Sequence, residues 1–140
     1  MSETAEIVLR KVLTRNDVGD TGSHQMGIHV PKLLAPLMPK LDERIENPDC
    51  VIEVETSLGR FSWRYIHYNR KLFAKGTRDE YRLLLVADFL RAAAPSTGDA
   101  LELVVTGPYS LRAKVRASSI EEPELVLQSA GPWKVVRLSA

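Results

Sequence analysis

Apolar and polar side chains alternate along most of this chain. The runs IVLRKVL (7–13), MGIHV (26–30), CVIEVET (50–56), FSWRYIHY (61–68), ALELVVT (100–106), YSLRAKVR (109–116) and WKVVRL (133–138) are rich in β-branched and aromatic residues. Their period of two is that of a half-buried antiparallel strand. In the fourth run Phe61, Trp63, Tyr65 and His67 fall on one face, and Ser62, Arg64, Ile66 and Tyr68 on the other. Such a strand buries one face in a core and offers arginine outward. Helical signal is weaker. Prolines at 31, 36 and 39 limit residues 31–41 to a short helix or turns. ADFLRAAA (87–94) forms a short helix that Pro95 and the following STGD turn stop. The pattern predicts one mainly β domain, residues 1–140, with two short helices and about seven strands. A barrel or open barrel is expected, because a flat sheet of that size exposes its edges.

Two polar stretches interrupt the pattern. NDVGDTGSHQMG (16–27) is longer than a connection between strands requires, and nearly all of it is hydrogen-bonding groups on a glycine-rich backbone. KGTRDEYR (75–82) packs Lys, Thr, two Arg, Asp, Glu and Tyr into eight positions. These side chains suit base edges: arginine donates a bidentate pair to guanine, and a carboxylate accepts from cytosine N4. Glycine-loop amides suit phosphates. An acid beside arginines repels phosphate, so it favours direct readout of G·C pairs over non-specific binding. The other reading of 75–82 is a salt-bridged turn, with Asp79 or Glu80 neutralising Arg78 and Arg82. For Asp17, capping its own loop through an Asx-type hydrogen bond is equally open.

Composition narrows the classes. The 140 residues are 44% hydrophobic and 26% charged, ordinary for a folded domain. The net charge of +1 does not call for nucleic acid, but its distribution is uneven. Residues 60–82 hold seven Lys/Arg against two acids, and residues 41–55 hold six acids against one Arg. With one cysteine, Cys50, no leader pattern and no long apolar run, a cytoplasmic protein away from membranes is expected. Enzyme signatures are missing: no phosphate-binding G-x-x-x-x-G-K-[ST], no G-x-S-x-G, no H-E-x-x-H, and no zinc or calcium spacing. PDCVIEVE (48–55) approaches a nuclease metal motif but has Glu55 where a lysine is needed. No catalysis, metal or cofactor is expected in this chain.

The long polar stretch carries a resemblance. LTRNDVGDTGSHQMGIHVPK (13–32), FSWRYIHYNRKL (61–72) and KGTRDEYRL (75–83) resemble the N-terminal effector domain of EcoRII-type (Type IIE) restriction endonucleases, over roughly residues 8–106. The resemblance implies a DNA-binding pseudobarrel, the fold shared with plant B3 transcription-factor domains. Two arms, an N-arm at 14–25 and a C-arm at 75–82, would grip double-stranded DNA from the major-groove side. Relatives read short sites of the CCWGG kind or asymmetric G·C-rich ones, and the domain controls a separate C-terminal nuclease domain. Such a bacterial domain is expected to act as a monomer. The positions implied to contact DNA are Arg15, Asn16, Asp17, Thr21, Ser23, His24 and Gln25 in the N-arm, Arg64 on the strand before the C-arm, and Lys75, Thr77, Arg78, Asp79, Glu80, Tyr81 and Arg82 in the C-arm. Lys75 stands one place from the family's arm lysine because Gly76 intervenes, and Arg15 and Tyr81 depart from the usual residues. His29 and His67, within strands, are read as scaffold. The alternative reading is a protein-interaction or structural β-barrel module whose polar loops are merely solvated.

Overall fold

The computed structural model describes residues 6–18, 27–118 and 124–138. Its nine strands are β1 (Glu6–Val12), β2 (Ile28–Val30), β3 (Asp49–Thr56), β4 (Gly59–Tyr68), β5 (Glu80–Leu84), β6 (Ala100–Gly107), β7 (Ser110–Arg116), β8 (Glu124–Ala130) and β9 (Trp133–Leu138). Seven answer the seven alternating runs. The two additions are β5, which takes over the end of the expected C-arm, and β8. Lys32–Leu37 is a 3-10 turn with Pro36 inside it, and α1 (Ala87–Ala93) ends on left-handed Ala94, just before Pro95. Among the described residues no helix is long and apolar enough to cross a membrane.

All nine strands join one sheet in the order β2-β5-β4-β3-β7-β6-β1-β9-β8. β3 and β7 are parallel, with Val54 opposite Leu111; the other pairings are antiparallel. The sheet is strongly curled. In a flat sheet seven steps of about 4.8 Å would hold β2 and β9 roughly 33 Å apart. Yet the Trp133 indole N–H, at the start of β9, donates to the His29 carbonyl on β2 at 3.0 Å. The sheet therefore wraps into an open half-barrel around Leu9, Ile52, Val54, Trp63, Tyr65, Leu83, Leu101, Leu103, Leu111 and Trp133. Phe89 of α1 closes one side, meeting Phe61 edge-on at 5.5 Å and Trp63 at 5.9 Å. β8, the last strand, belongs to the rim: Leu125, Val126 and Leu127 are all exposed.

Candidate nucleic-acid interface

The first arm springs from a rigid root. Thr14 and Asp17 satisfy each other: the Thr14 N–H donates to Asp17 Oδ2 at 3.0 Å and the Asp17 N–H to Thr14 Oγ1 at 3.2 Å. This is the reciprocal logic of a capping box, and the Val18 N–H closes the turn on the Thr14 carbonyl at 3.1 Å. The same Asp17 oxygen takes the Lys11 ammonium, and both side chains are buried. Arg15 and Asn16 are exposed on this turn. Thr21, Ser23, His24 and Gln25 lie outside the described residues. The chain returns at Gly27, whose φ is +86° and where a Cβ would collide with the Leu83 carbonyl. Only glycine lets the arm leave so close to β5.

The second arm is folded back on itself. After β4, a 3-10 turn at Arg70–Phe73 ends on left-handed Ala74, and the Lys71 N–H donates to the Arg78 carbonyl at 3.0 Å, which closes the loop. Asn69, fully buried, pins its base: the side-chain amide donates to the Ile45 carbonyl at 2.9 Å and its oxygen accepts the Asn47 N–H at 2.7 Å. The Arg78 guanidinium lies 3.7 Å above the Tyr68 ring and donates to Glu80 Oε1, 2.9 Å from its Nε. Arg82 approaches the same oxygen at 3.4 Å. Burial alone would raise the Glu80 pKa, but the hydrogen bonds from Arg78 and Arg82 outweigh it and hold the carboxylate below its usual range. Tyr68→Leu is expected to remove the stack, cost about 0.5–1 kcal/mol of stability, and speed the motion of the Arg78 guanidinium. Urea unfolding and 15Nε relaxation of Arg78 check the two parts.

Strand register explains why these residues share a face. Tyr68 pairs with Glu80, Ile66 with Arg82 and Arg82 with His29, so all five point the same way from β4, β5 and β2. The first arm returns at the Leu83 end of β5 and the second arm enters at Glu80. About 10 Å of strand separates them, and His29 and Arg82 form the floor between. His29 is exposed. Partial desolvation pushes its pKa below the usual value, more than the charge of Glu80 restores, and Arg82 and Lys11 push the same way. The residue read as scaffold is thus on the open face. Strict alternation in Ile28-His29-Val30, apolar-polar-apolar, was the signal that places it there.

The uneven charge blocks turn out to face each other. Across the β3–β4 hairpin and its neighbouring loop, Arg64 meets Asp49 at 2.6 Å, Arg60 meets Glu55 at 3.1 Å and Lys75 meets Glu46 at 2.6 Å. The Lys75 contact, ahead of a weak desolvation effect, lowers the Glu46 pKa. Of the positions expected from the sequence, Arg78, Glu80 and Arg82 come together in one strip, with exposed Thr77 beside them. Arg64 shares that face farther along β4 but carries its own acid. Asp79 and Tyr81 turn the other way, toward His67, and Asp17 is committed to the first arm's root.

Residues 2–112 match the family model for the N-terminal part of the restriction endonuclease EcoRII. The match takes in both arms and every strand from β1 to β6, with the start of β7, and leaves the β8–β9 hairpin outside it. No curated protein matches the chain. With most of its length and both polar stretches inside the match, this chain belongs to the family of EcoRII N-terminal domains, which implies a DNA-binding effector domain of a restriction enzyme.

Proposed function

We propose that this chain binds double-stranded DNA sequence-specifically from the major-groove side, through its two arms, at a short G·C-flanked site of the CCWGG kind. The observation that carries this reading is an acid held between two arginines on a strip open to solvent, with Arg78 exposed and Glu80 and Arg82 half-buried, beside His29. A surface built for phosphates alone gains nothing from Glu80. A surface that reads G·C pairs does, because Glu80 accepts from cytosine N4 while Arg78 and Arg82 donate to guanine O6 and N7. In the free protein these groups satisfy each other, so binding exchanges one set of hydrogen bonds for another and leaves no buried charge alone. Arg15, Asn16, Thr21, Ser23, His24 and Gln25 face the other half of the site. Arg64, Lys75 and Thr77 steady the backbone, the first two after exchanging their acids for phosphate. Asp17, Asp79 and Tyr81 act by building the arms. The spacing of about 10 Å along β5 fits within the major-groove width of about 12 Å. One copy engages the site without a cofactor, and a nuclease domain acts elsewhere in the full-length protein.

A gel-shift titration against a CCWGG duplex with a scrambled competitor tests the proposal. A cognate preference of about a hundredfold, equivalent to about 2.7 kcal/mol, is expected, with affinity falling steeply as salt rises. Equal affinity for both duplexes would remove direct readout. Arg78→Ala is expected to weaken cognate binding by about 1–3 kcal/mol and to relax selectivity. An equal loss on every duplex would assign Arg78 to phosphate. Glu80→Ala should reduce discrimination more than affinity.

A further inference from the structure

His67 lies on the core face of β4, behind the reading strip, and only 3% of it is exposed. Both of its ring nitrogens face carboxylates: Nδ1 stands 2.5 Å from Glu43 Oε1 and Nε2 stands 2.7 Å from Asp79 Oδ1. The ring is stacked on Tyr81 of β5, with centroids 4.0 Å apart. Glu43 belongs to the loop before β3 and Asp79 ends the second arm, so one side chain joins two loops 36 positions apart in the chain (79 − 43). The remaining groups around it are also placed. Lys32, from the turn after β2, holds the other oxygen of Asp79 at 2.5 Å. The Tyr81 hydroxyl donates to Glu43 Oε2 at 3.1 Å, Tyr65 stacks behind Tyr81 at 5.8 Å, and the His67 N–H donates to the Pro48 carbonyl at 3.0 Å.

A carboxylate can only accept hydrogen bonds. Two carboxylates at the two nitrogens of one ring are therefore both satisfied only when the ring carries a proton on each nitrogen. The hydrogen bonds from Lys32 and then His67 hold the Asp79 pKa below its usual range, so Asp79 does not supply the missing proton near neutrality. A metal does not explain the arrangement, because the carboxylates lie at opposite nitrogens. No three metal-binding side chains converge among the described residues.

We propose that His67 is a positioning residue for the second arm: as an imidazolium it clamps Asp79 to Glu43, fixing Arg78 and Glu80 on either side of Asp79, and loss of one ring proton leaves one of the two carboxylates without its donor and loosens the arm. The arm's reading geometry is then proton-linked, although His67 itself is buried behind the strip. This deepens the DNA-binding proposal and depends on it only for its consequence in recognition. Lys32 keeps its hold on the other oxygen of Asp79, so the arm loosens about that tether and does not leave it.

The test follows ring 15N signals of His67 and the amide protection of Lys71, whose N–H bonds to the Arg78 carbonyl, across pH. In the unaltered chain, protection of Lys71 is expected to fall at least tenfold with the same midpoint as the loss of the ring proton. His67→Phe keeps the stack on Tyr81 but has no donor, and should show low protection at every pH. Asp79→Asn should leave the ring titration visible but uncouple it from Lys71. Protection that ignores the ring titration, or that is unchanged in His67→Phe, overturns the proposal. If His67→Phe does not fold, the unaltered chain and Asp79→Asn decide it. In a parallel gel-shift series, cognate discrimination should fall at least tenfold across the same midpoint. A chain that never prefers the cognate duplex would refute the DNA reading, while Lys71 protection would still decide the clamp.

Discussion

Trp133→Ala is expected to lower the stability of the folded chain by about 3–5 kcal/mol, the usual cost of removing a buried indole. Trp133 is 1% exposed in the main core, sits opposite Lys11 on β1, and bridges the two sides of the half-barrel through the His29 carbonyl. Its loss opens a cavity and also leaves a carbonyl of β2 without its indole donor. The consequence reaches the proposed interface, because that carbonyl belongs to the residue on the floor between the arms. Urea unfolding gives the magnitude, and the amide exchange of β2 gives the local effect. Leu125→Ser on the neighbouring β8, half exposed at the rim, is expected to change stability by no more than about 0.5 kcal/mol. If both variants are near neutral, the β9 strand is dispensable and the half-barrel closes by other means. The contrast is informative because both residues lie beyond the stretch that matches the family.

Asp17→Ala should be comparably damaging. Lys11 and Asp17 form a buried ion pair, and removing one partner of such a pair typically costs about 3–5 kcal/mol, since it strands the other charge away from water. The Thr14 N–H loses its acceptor at the same time. Adding Lys11→Met to Asp17→Ala is expected to recover more than half of the loss, because no charge is then left behind. A double-mutant cycle in urea measures the coupling. If Asp17 served only as a contact to a ligand, Asp17→Ala would leave stability alone and reduce only DNA affinity.

Seven strands and two of the three short helical segments were legible because each pairs a period-two pattern or a proline stop with clear punctuation, whereas the 3-10 turn at Arg70–Phe73 was not read. β5 was hidden because Glu80, Tyr81 and Arg82 read as loop chemistry. Their alternation, Tyr81 and Leu83 inward with Glu80 and Arg82 outward, becomes visible only beside β4. β8 was hidden for the opposite reason: at the rim neither face is covered, so Leu125, Val126 and Leu127 need not alternate. The acidic and basic blocks looked like separate surfaces until the β3–β4 hairpin laid them against each other.

By itself the sequence determined the strand-forming runs, the two polar stretches between them and the identity of the family, since these depend on residues close together in the chain. Only the tertiary structure decided which arm residues share a face, which are spent on holding the arms, and that His67 bridges two of the loops. Those outcomes depend on partners far apart in sequence: Lys32 with Asp79, Glu43 with His67, Trp133 with the His29 carbonyl. The direction of a side chain is set by strand register, and the state of a charge by what stands within hydrogen-bonding reach, and neither is written in local spacing.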